Sequence, residues 1–188
     1  MLAQAPGIAA WGLMTGVATV QSGLSVTEAV LMTLVVFAGS AQLAAIALLV
    51  AGAPAWVILA TAFCVNLRFV VFSLHLRSYL IHLPLAQRLC HGYLTADWSY
   101  ASFIHRFPKP AQDRAGQLAQ EAFLAGNCGV NWSSWMVSSL FGIALAHQIP
   151  QSWGLGFAGI LCLLGLLCSL TSTPLRIAAA LVAGAAAV

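Results

Sequence analysis

Of the 188 residues, 6% are charged and 61% are hydrophobic, and the formal net charge at pH 7 is +3. A soluble domain spends about a quarter of its residues on Asp, Glu, Lys and Arg, so this composition excludes a water-solvated surface. A small, dispersed positive charge also excludes a nucleic-acid binder, which needs a concentrated basic face. Positions 29–67 and 122–175 contain none of those four residue types, and a helix needs only about 20 apolar residues to cross a hydrocarbon core of about 30 Å. Lipid gives the backbone no hydrogen-bonding partner, which leaves helices or closed barrels. The unbroken runs of Leu, Ala, Val and Gly lack the alternation of barrel strands, so the expected fold is an all-α, polytopic transmembrane bundle of about six spans.

In chain order, the first predicted span covers 6–20, with Gly7, Gly12 and Gly16 spaced for close helix packing. It lacks a positive n-region and runs on into further apolar sequence, which predicts a retained helix rather than a cleaved leader. The second covers 28–50, and Gly52, Ala53 and Pro54 turn the chain into a third at 55–75. Positions 77–114 hold five of the seven Lys and Arg residues, which places this polar region on the cytoplasmic side. Inside it, 89–104 is apolar but only 16 residues long and carries Asp97, as a re-entrant or interfacial segment would. A fourth segment at 115–146 is long enough for a tilted or broken span, and two more follow at 154–170 and 175–188. The chain thus reads as one membrane domain over 1–188, with a first helical half at 6–76, the polar region at 77–114 and a second half at 115–188. Phe37–Leu43 (FAGSAQL) has a loose echo in Leu124–Val130 (LAGNCGV), one sign of an inverted repeat with broken helices, against which stands chance likeness between Gly/Ala-rich helices. The five cysteines, Cys64, Cys90, Cys128, Cys162 and Cys168, are scattered without metal-ligand spacing and read as buried free thiols.

So few charges make each intramembrane polar group informative. Gly39, Ser40 and Gln42 interrupt the apolar run of the second segment near its midpoint. Unwinding there would expose a half-helix N-terminus able to hold a carboxylate; the alternative is plain helix packing with Gln42 bonding across it. Asn66 and Arg68 stand inside the third segment, and an arginine at a span centre calls for a cavity, a carboxylate or a substrate. Its alternative is snorkelling, since the seven residues from Arg68 to His75 span only about 10 Å. Asp97 and Glu121 are candidates to pair with Arg68 or to carry a proton, and otherwise serve as a helix cap and a helix-start residue. Asn127 and Asn131, four apart on one helix face, and Phe37 are candidate cavity-lining residues.

The run Val36–Leu43 (VFAGSAQL), followed by Val65–Phe69 (VNLRF), resembles the AzlC family, the large subunit of branched-chain amino acid exporters. Gly12–Gly16 (GLMTG), Ser22–Ser25 (SGLS) and Leu94–Asp97 (LTAD) are similar to further family signatures. The resemblance implies a multi-pass protein of the bacterial inner membrane that works with a small AzlD-type membrane subunit. It implies export of valine, leucine, isoleucine and methionine, with Gly39, Ser40, Gln42, Asn66 and Arg68 at the substrate and Asp97 beside them. Two other readings stay open: the permease of an ATP-driven transporter, for which Glu121-Ala-Phe is a poor coupling loop, and a non-transporting scaffold subunit. An enzyme is not expected, because zinc-protease and serine-nucleophile motifs are missing. No catalytic residue, metal or cofactor is assigned.

Overall fold

The computed structural model describes residues 4–148, so the expected segments at 154–170 and 175–188, with Cys162 and Cys168, lie outside the described residues. Among those described, every regular element is a helix: α1 (Ala5–Gln21), α2 (Val26–Val35), α3 (Gly39–Val50), α4 (Ala55–Leu80), α5 (Leu85–Leu94), α6 (Asp97–Arg106) and α7 (Arg114–Leu145). The second and the short apolar segment are each split. The predicted span at 28–50 becomes α2 and α3 with a break at 36–38, immediately before Gly39. The stretch at 89–104 becomes α5 and α6 with a break at Thr95 and Ala96. By contrast α7 runs unbroken for 32 residues through the FAGSAQL echo at Leu124–Val130, so the break in the first half has no counterpart at the position the echo indicated.

The bundle is assembled on α1 and α7. Pro6 sits in the first turn of α1, where its missing N–H costs nothing. Further along, a Cβ on Gly12 would strike the Ser138 side chain and the Trp135 carbonyl, one on Gly16 the Ser139 carbonyl, and one on Gly142 the Leu13 carbonyl. The two backbones therefore touch along a seam of small residues, the arrangement that gives helices dispersion contacts where lipid removes the hydrophobic drive. Gly7 meets nothing within 4 Å and is not part of the seam. Hydroxyls on both helices turn back on their own backbone, with Thr19 Oγ1 donating to the Thr15 carbonyl at 2.7 Å and Ser138 Oγ to that of Ser134 at 2.6 Å. The seam thus has its Thr19 and Ser138 hydroxyls bonded, while that of buried Ser139 has no partner. After α1, Gly23 takes φ +96° to turn the chain, and Ser25 starts α2 in a capping box: Glu28 Oε2 accepts from the Ser25 N–H at 2.8 Å and Ser25 Oγ from the Glu28 N–H at 3.3 Å. One of the four acidic residues is thereby spent on a helix end.

α4 is the one helix among the described residues long and apolar enough to cross a membrane by length and composition, with a mean hydropathy of 2.1 over its best window. It continues five residues past the expected end at His75, because Leu76, Tyr79 and Leu80 pack into a core with Phe103 of α6 and with Leu124 and Cys128 of α7. Tyr79 fixes that end by donating to the Phe107 carbonyl at 2.9 Å. Its other face carries Trp56, Leu59, Phe63 and Leu74, all exposed, as a lipid-facing helix requires. Cys64 and Cys90 are exposed on such outward faces and, among the described cysteines, Cys128 alone is buried, which corrects the expectation of burial for the first two.

Replacing Gly16 by leucine forces α1 and α7 apart. Overpacking of this kind costs about 3 kcal/mol, and the thermal unfolding midpoint in detergent should fall clearly for Gly16→Leu while Gly7→Leu leaves it within error.

Candidate functional site

The two helix breaks lie side by side, and Arg68 of α4 reaches between them. Its Nη2 donates to Ser40 Oγ, in the first turn of α3, at 2.5 Å, and its Nη1 lies 3.2 Å from Asp97 Oδ2, on the first residue of α6. The guanidinium carbon stands 5.1 Å from the centre of the Phe69 ring, and Nε is enclosed without a hydrogen-bond partner. Because α4 ends at Leu80, twelve residues beyond Arg68, the charge sits about 18 Å from the nearer helix end at 1.5 Å per residue. An arginine at that depth costs about 2.5–3.5 kcal/mol on insertion scales and persists where something polar receives it. Here Ser40 and Asp97 receive it.

Breaking α2 from α3 leaves the last carbonyls of α2 without helical partners, and the protein supplies them from side chains. Gln42 Nε2 donates to the Val36 carbonyl at 2.7 Å and to that of Met32 at 3.2 Å. Tyr93, from the end of α5, donates to the Leu34 carbonyl at 2.9 Å. At the second break Thr95 Oγ1 closes the end of α5 on the His91 carbonyl at 2.6 Å. The opposite ends are left open: neither the start of α3, at Ala38, nor the start of α6, at Ala96, has a side-chain cap. Two uncapped N-termini, each carrying about half a positive charge, therefore flank one arginine and one aspartate. That sum favours one further anionic group.

These atoms border a cleft of about 40 Å³ lined by Ile8, Trp11, Phe37, Ala38, Gly39, Arg68, Phe69, Ala96, Asp97, Trp98, Asn131 and Trp135. Its walls are largely aromatic. Trp11 and Trp135 meet edge to face at 5.6 Å between ring centres, and the Trp135 ring lies so close over Gly39 that any Cβ there would collide with it. Glycine is thus required at 39 to let the ring close the cleft. Asn131 and Trp135 are 4% exposed, and the Trp11 and Trp135 indole N–H groups have no partner in this arrangement, so polar donors as well as apolar surface face the interior.

Of the residues singled out from sequence, Phe37, Gly39, Arg68, Asp97 and Asn131 line this cleft and Ser40 touches it through Arg68. Gln42 is 2% exposed and spends its amide hydrogens on the break. Asn66 borders a neighbouring cleft with Val36, Phe37 and Thr95, its Oδ1 without a partner, and Asn127 is buried below Asn131 on α7. Glu121 goes elsewhere: its Oε1 meets His82 Nε2 at 2.5 Å and Arg114 Nη1 at 3.6 Å, at the turn between α4 and α5, not Arg68. Asp97 does not cap α6 through its side chain, so its carboxylate is free for the arginine. Sequence reasoning did not find Trp11, Trp98 or Tyr93; tryptophan four residues before Thr15 on a glycine-spaced helix was the available signal for the first.

Interrupted helices that meet at an ion-paired arginine, in the middle of a helix long and apolar enough to cross a membrane, define an all-helical protein with a polar site between its helices. The AzlC protein family matches residues 4–149, and the chain belongs to it. It is also similar to the inner membrane protein YgaZ of Escherichia coli strain K12, with 28% identity over 140 residues, 73% of this chain and 55% of that protein. The chain therefore spans about half the length of the curated relative it matches. No solved structure matches it.

The break should depend on the amide hydrogens of Gln42. Gln42→Ala leaves the Val36 carbonyl without its partner, a loss of about 2 kcal/mol. Isosteric Gln42→Glu, which sets oxygen against oxygen, should lower the unfolding midpoint in detergent further than alanine does.

Proposed function

We propose that the chain is the large subunit of an inner-membrane exporter for branched-chain and other hydrophobic amino acids, driven by the proton gradient and working with a small AzlD-type membrane subunit. The observation that carries this reading is Arg68 at mid-α4, held between Ser40 and Asp97 where two helices are interrupted. A zwitterion fits that arrangement with its ammonium at Asp97 and its carboxylate at Arg68 and the uncapped N–H groups that begin α3. The aliphatic side chain then lies against Trp11, Phe37 and Trp135, which supports valine, leucine, isoleucine and methionine over polar amino acids. Family membership and the inner-membrane relative support the location.

The same contacts provide a cycle. A cleft of about 40 Å³ has room for a few waters and not for leucine, so admission requires the Arg68–Asp97 pair to part and Trp135 to swing from Gly39. The substrate's two charges replace the pair's own, so neither Arg68 nor Asp97 is left unpaired in the bundle, where a lone charge is costly. On release, a proton on Asp97 or the restored pair with Arg68 neutralises the carboxylate, and this alternation links solute movement to proton movement. Gln42 holds the break in shape from behind and Asn131 faces the cleft from α7. The exporter spans the membrane about six times in this reading and needs no resident cofactor.

In cells lacking other exporters and loaded with a valine-containing dipeptide, Arg68→Ala and Asp97→Asn should each cut valine efflux at least about tenfold, the effect of losing one charge-assisted contact, while the protein still reaches the membrane. Efflux should collapse with a protonophore and require the small subunit. Wild-type efflux in either variant would remove that residue from the site, and efflux that survives the protonophore but follows ATP would assign the chain to an ATP-driven permease.

A further inference from the structure

A second concavity, of about 540 Å³, runs between the later turns of α4 and the outer face of α5. α4 contributes Val70, Ser73, Leu74 and Arg77, and α5 contributes Leu85, Arg88, Leu89 and Gly92, both at the i, i+3, i+4, i+7 spacing of a single helix face. Two faces that match in this way would be expected to close on each other, yet Leu74 and Leu89 are 68% and 65% exposed. A Cβ on Gly92 would meet nothing within 4 Å, so the inner end of the groove is open as well.

The polar groups of the groove are gathered at one end. Arg77 lies in the last turn of α4 and Arg88 one turn into α5, on either side of the connecting turn at 81–84. Among the described residues neither has a carboxylate partner, the ion pairs being those of Arg68, His82 and Arg114, and Arg88 Nε is enclosed without a hydrogen-bond partner. Two guanidinium forks with no anion to hold suit phosphate oxygens, which they grip by paired N–H bonds. Leucine and valine side chains then continue inward from Arg77 to Val70, about 10 Å of helix, with Ser73 on the wall and the Tyr93 hydroxyl turned to the Leu34 carbonyl at the inner end. A charged head and an apolar tail are what this surface complements.

We propose that the groove binds an anionic phospholipid, its phosphate between Arg77 and Arg88 and one acyl chain along Leu74 and Leu89 towards Gly92. Basic pockets between membrane helices recognise such headgroups by the same chemistry. The site is independent of which solute the Arg68 cleft takes, but it touches that cleft's frame: Phe69 lines both, and Tyr93 at the inner end of the groove holds the Leu34 carbonyl of the first break.

Native mass spectrometry of the purified full chain, titrated with dioleoyl phosphatidylglycerol or with dioleoyl phosphatidylcholine, tests this. At about a factor of five per arginine, the anionic lipid should bind roughly thirtyfold tighter, and R77Q/R88Q should bring the two lipids together. R106Q/K109Q, which removes two charges outside the groove, should keep the preference. Gly92→Leu should weaken dioleoyl phosphatidylglycerol but not its dihexanoyl analogue. Equal binding of both lipids by the wild type, an equal loss in R106Q/K109Q, or inorganic phosphate competing as well as the lipid overturns the proposal. So does loss of all lipid binding when the small subunit is present, which would give the groove to that protein.

Discussion

A guanidinium twelve residues from the end of α4, the one described helix long and apolar enough to cross a membrane, is met by protein at Ser40 and Asp97. Most of the architecture around it follows from those two contacts. A continuous neighbouring helix presents only side chains to such a charge, since its backbone groups are bonded to each other. Interrupting α2 from α3 and α5 from α6 brings helix ends to the same depth, and with them Ser40 and Asp97 at positions from which they can reach Nη2 and Nη1. The interruptions have their own cost in unpaired carbonyls, and Gln42, Tyr93 and Thr95 offset it one group at a time. The C-terminal ends are closed and the N-terminal ends left open, an asymmetry that gives the cleft its surplus of positive potential.

Rigidity comes from a different part of the molecule. The α1–α7 seam brings backbones into contact through Gly12, Gly16 and Gly142, and helices so close have little freedom to slide. Trp135 projects from the middle of α7 on that fixed support and covers Gly39. The cleft is therefore framed by two pairs of half-helices and Arg68 on one side and by α1 and α7 on the other. Leu76, Tyr79 and Leu80 anchor the end of α4 in a core, while Trp56, Leu59, Phe63, Leu67 and Leu74 along its length are exposed. Along the rest of its length α4 packs on α3 and carries the Arg68 ion pair, so a charged solute that exchanges for the pair would act on this helix.

The groove carrying Arg77 and Arg88 lies at the anchored end of the same helix. Its leucines and the two unpaired arginines connect the lipid phase to Phe69 and Tyr93, and so to the break itself. Solute at one position on α4 and lipid at another would then bear on a single mechanical element.

How much of this could be read from the chain divides by the range of the interaction. Charge scarcity, the apolar runs and the glycine spacing of the first helix are properties of composition and short periods, and they gave a helical membrane protein, the close packing of Gly12 and Gly16 and the interest of Gly39, Arg68 and Asp97. That this segment would be interrupted was legible from Gly39, which weakens a helix, but the break falls at 36–38 and the Gly39–Gln42 stretch singled out from sequence forms the first turn of α3. The task of Gln42 was not legible, since its partners Met32 and Val36 are set by how the break folds back. Nor was the choice between Asp97 and Glu121, two carboxylates in similar apolar surroundings; only the packing of α6 beside α4 brings the first to Arg68 while the α4–α5 turn brings His82 to the second. The true length of α4 was hidden for a related reason: His75, Arg77 and Ser78 look like an exit from the membrane in sequence, whereas Leu76, Tyr79 and Leu80 continue the helix into a core made by residues far along the chain. Sequence alone determined that a charge would stand within a helical bundle, because the solvent such helices avoid is encoded in composition. Which groups receive that charge is decided by contacts between distant segments, and those exist only once the helices have packed.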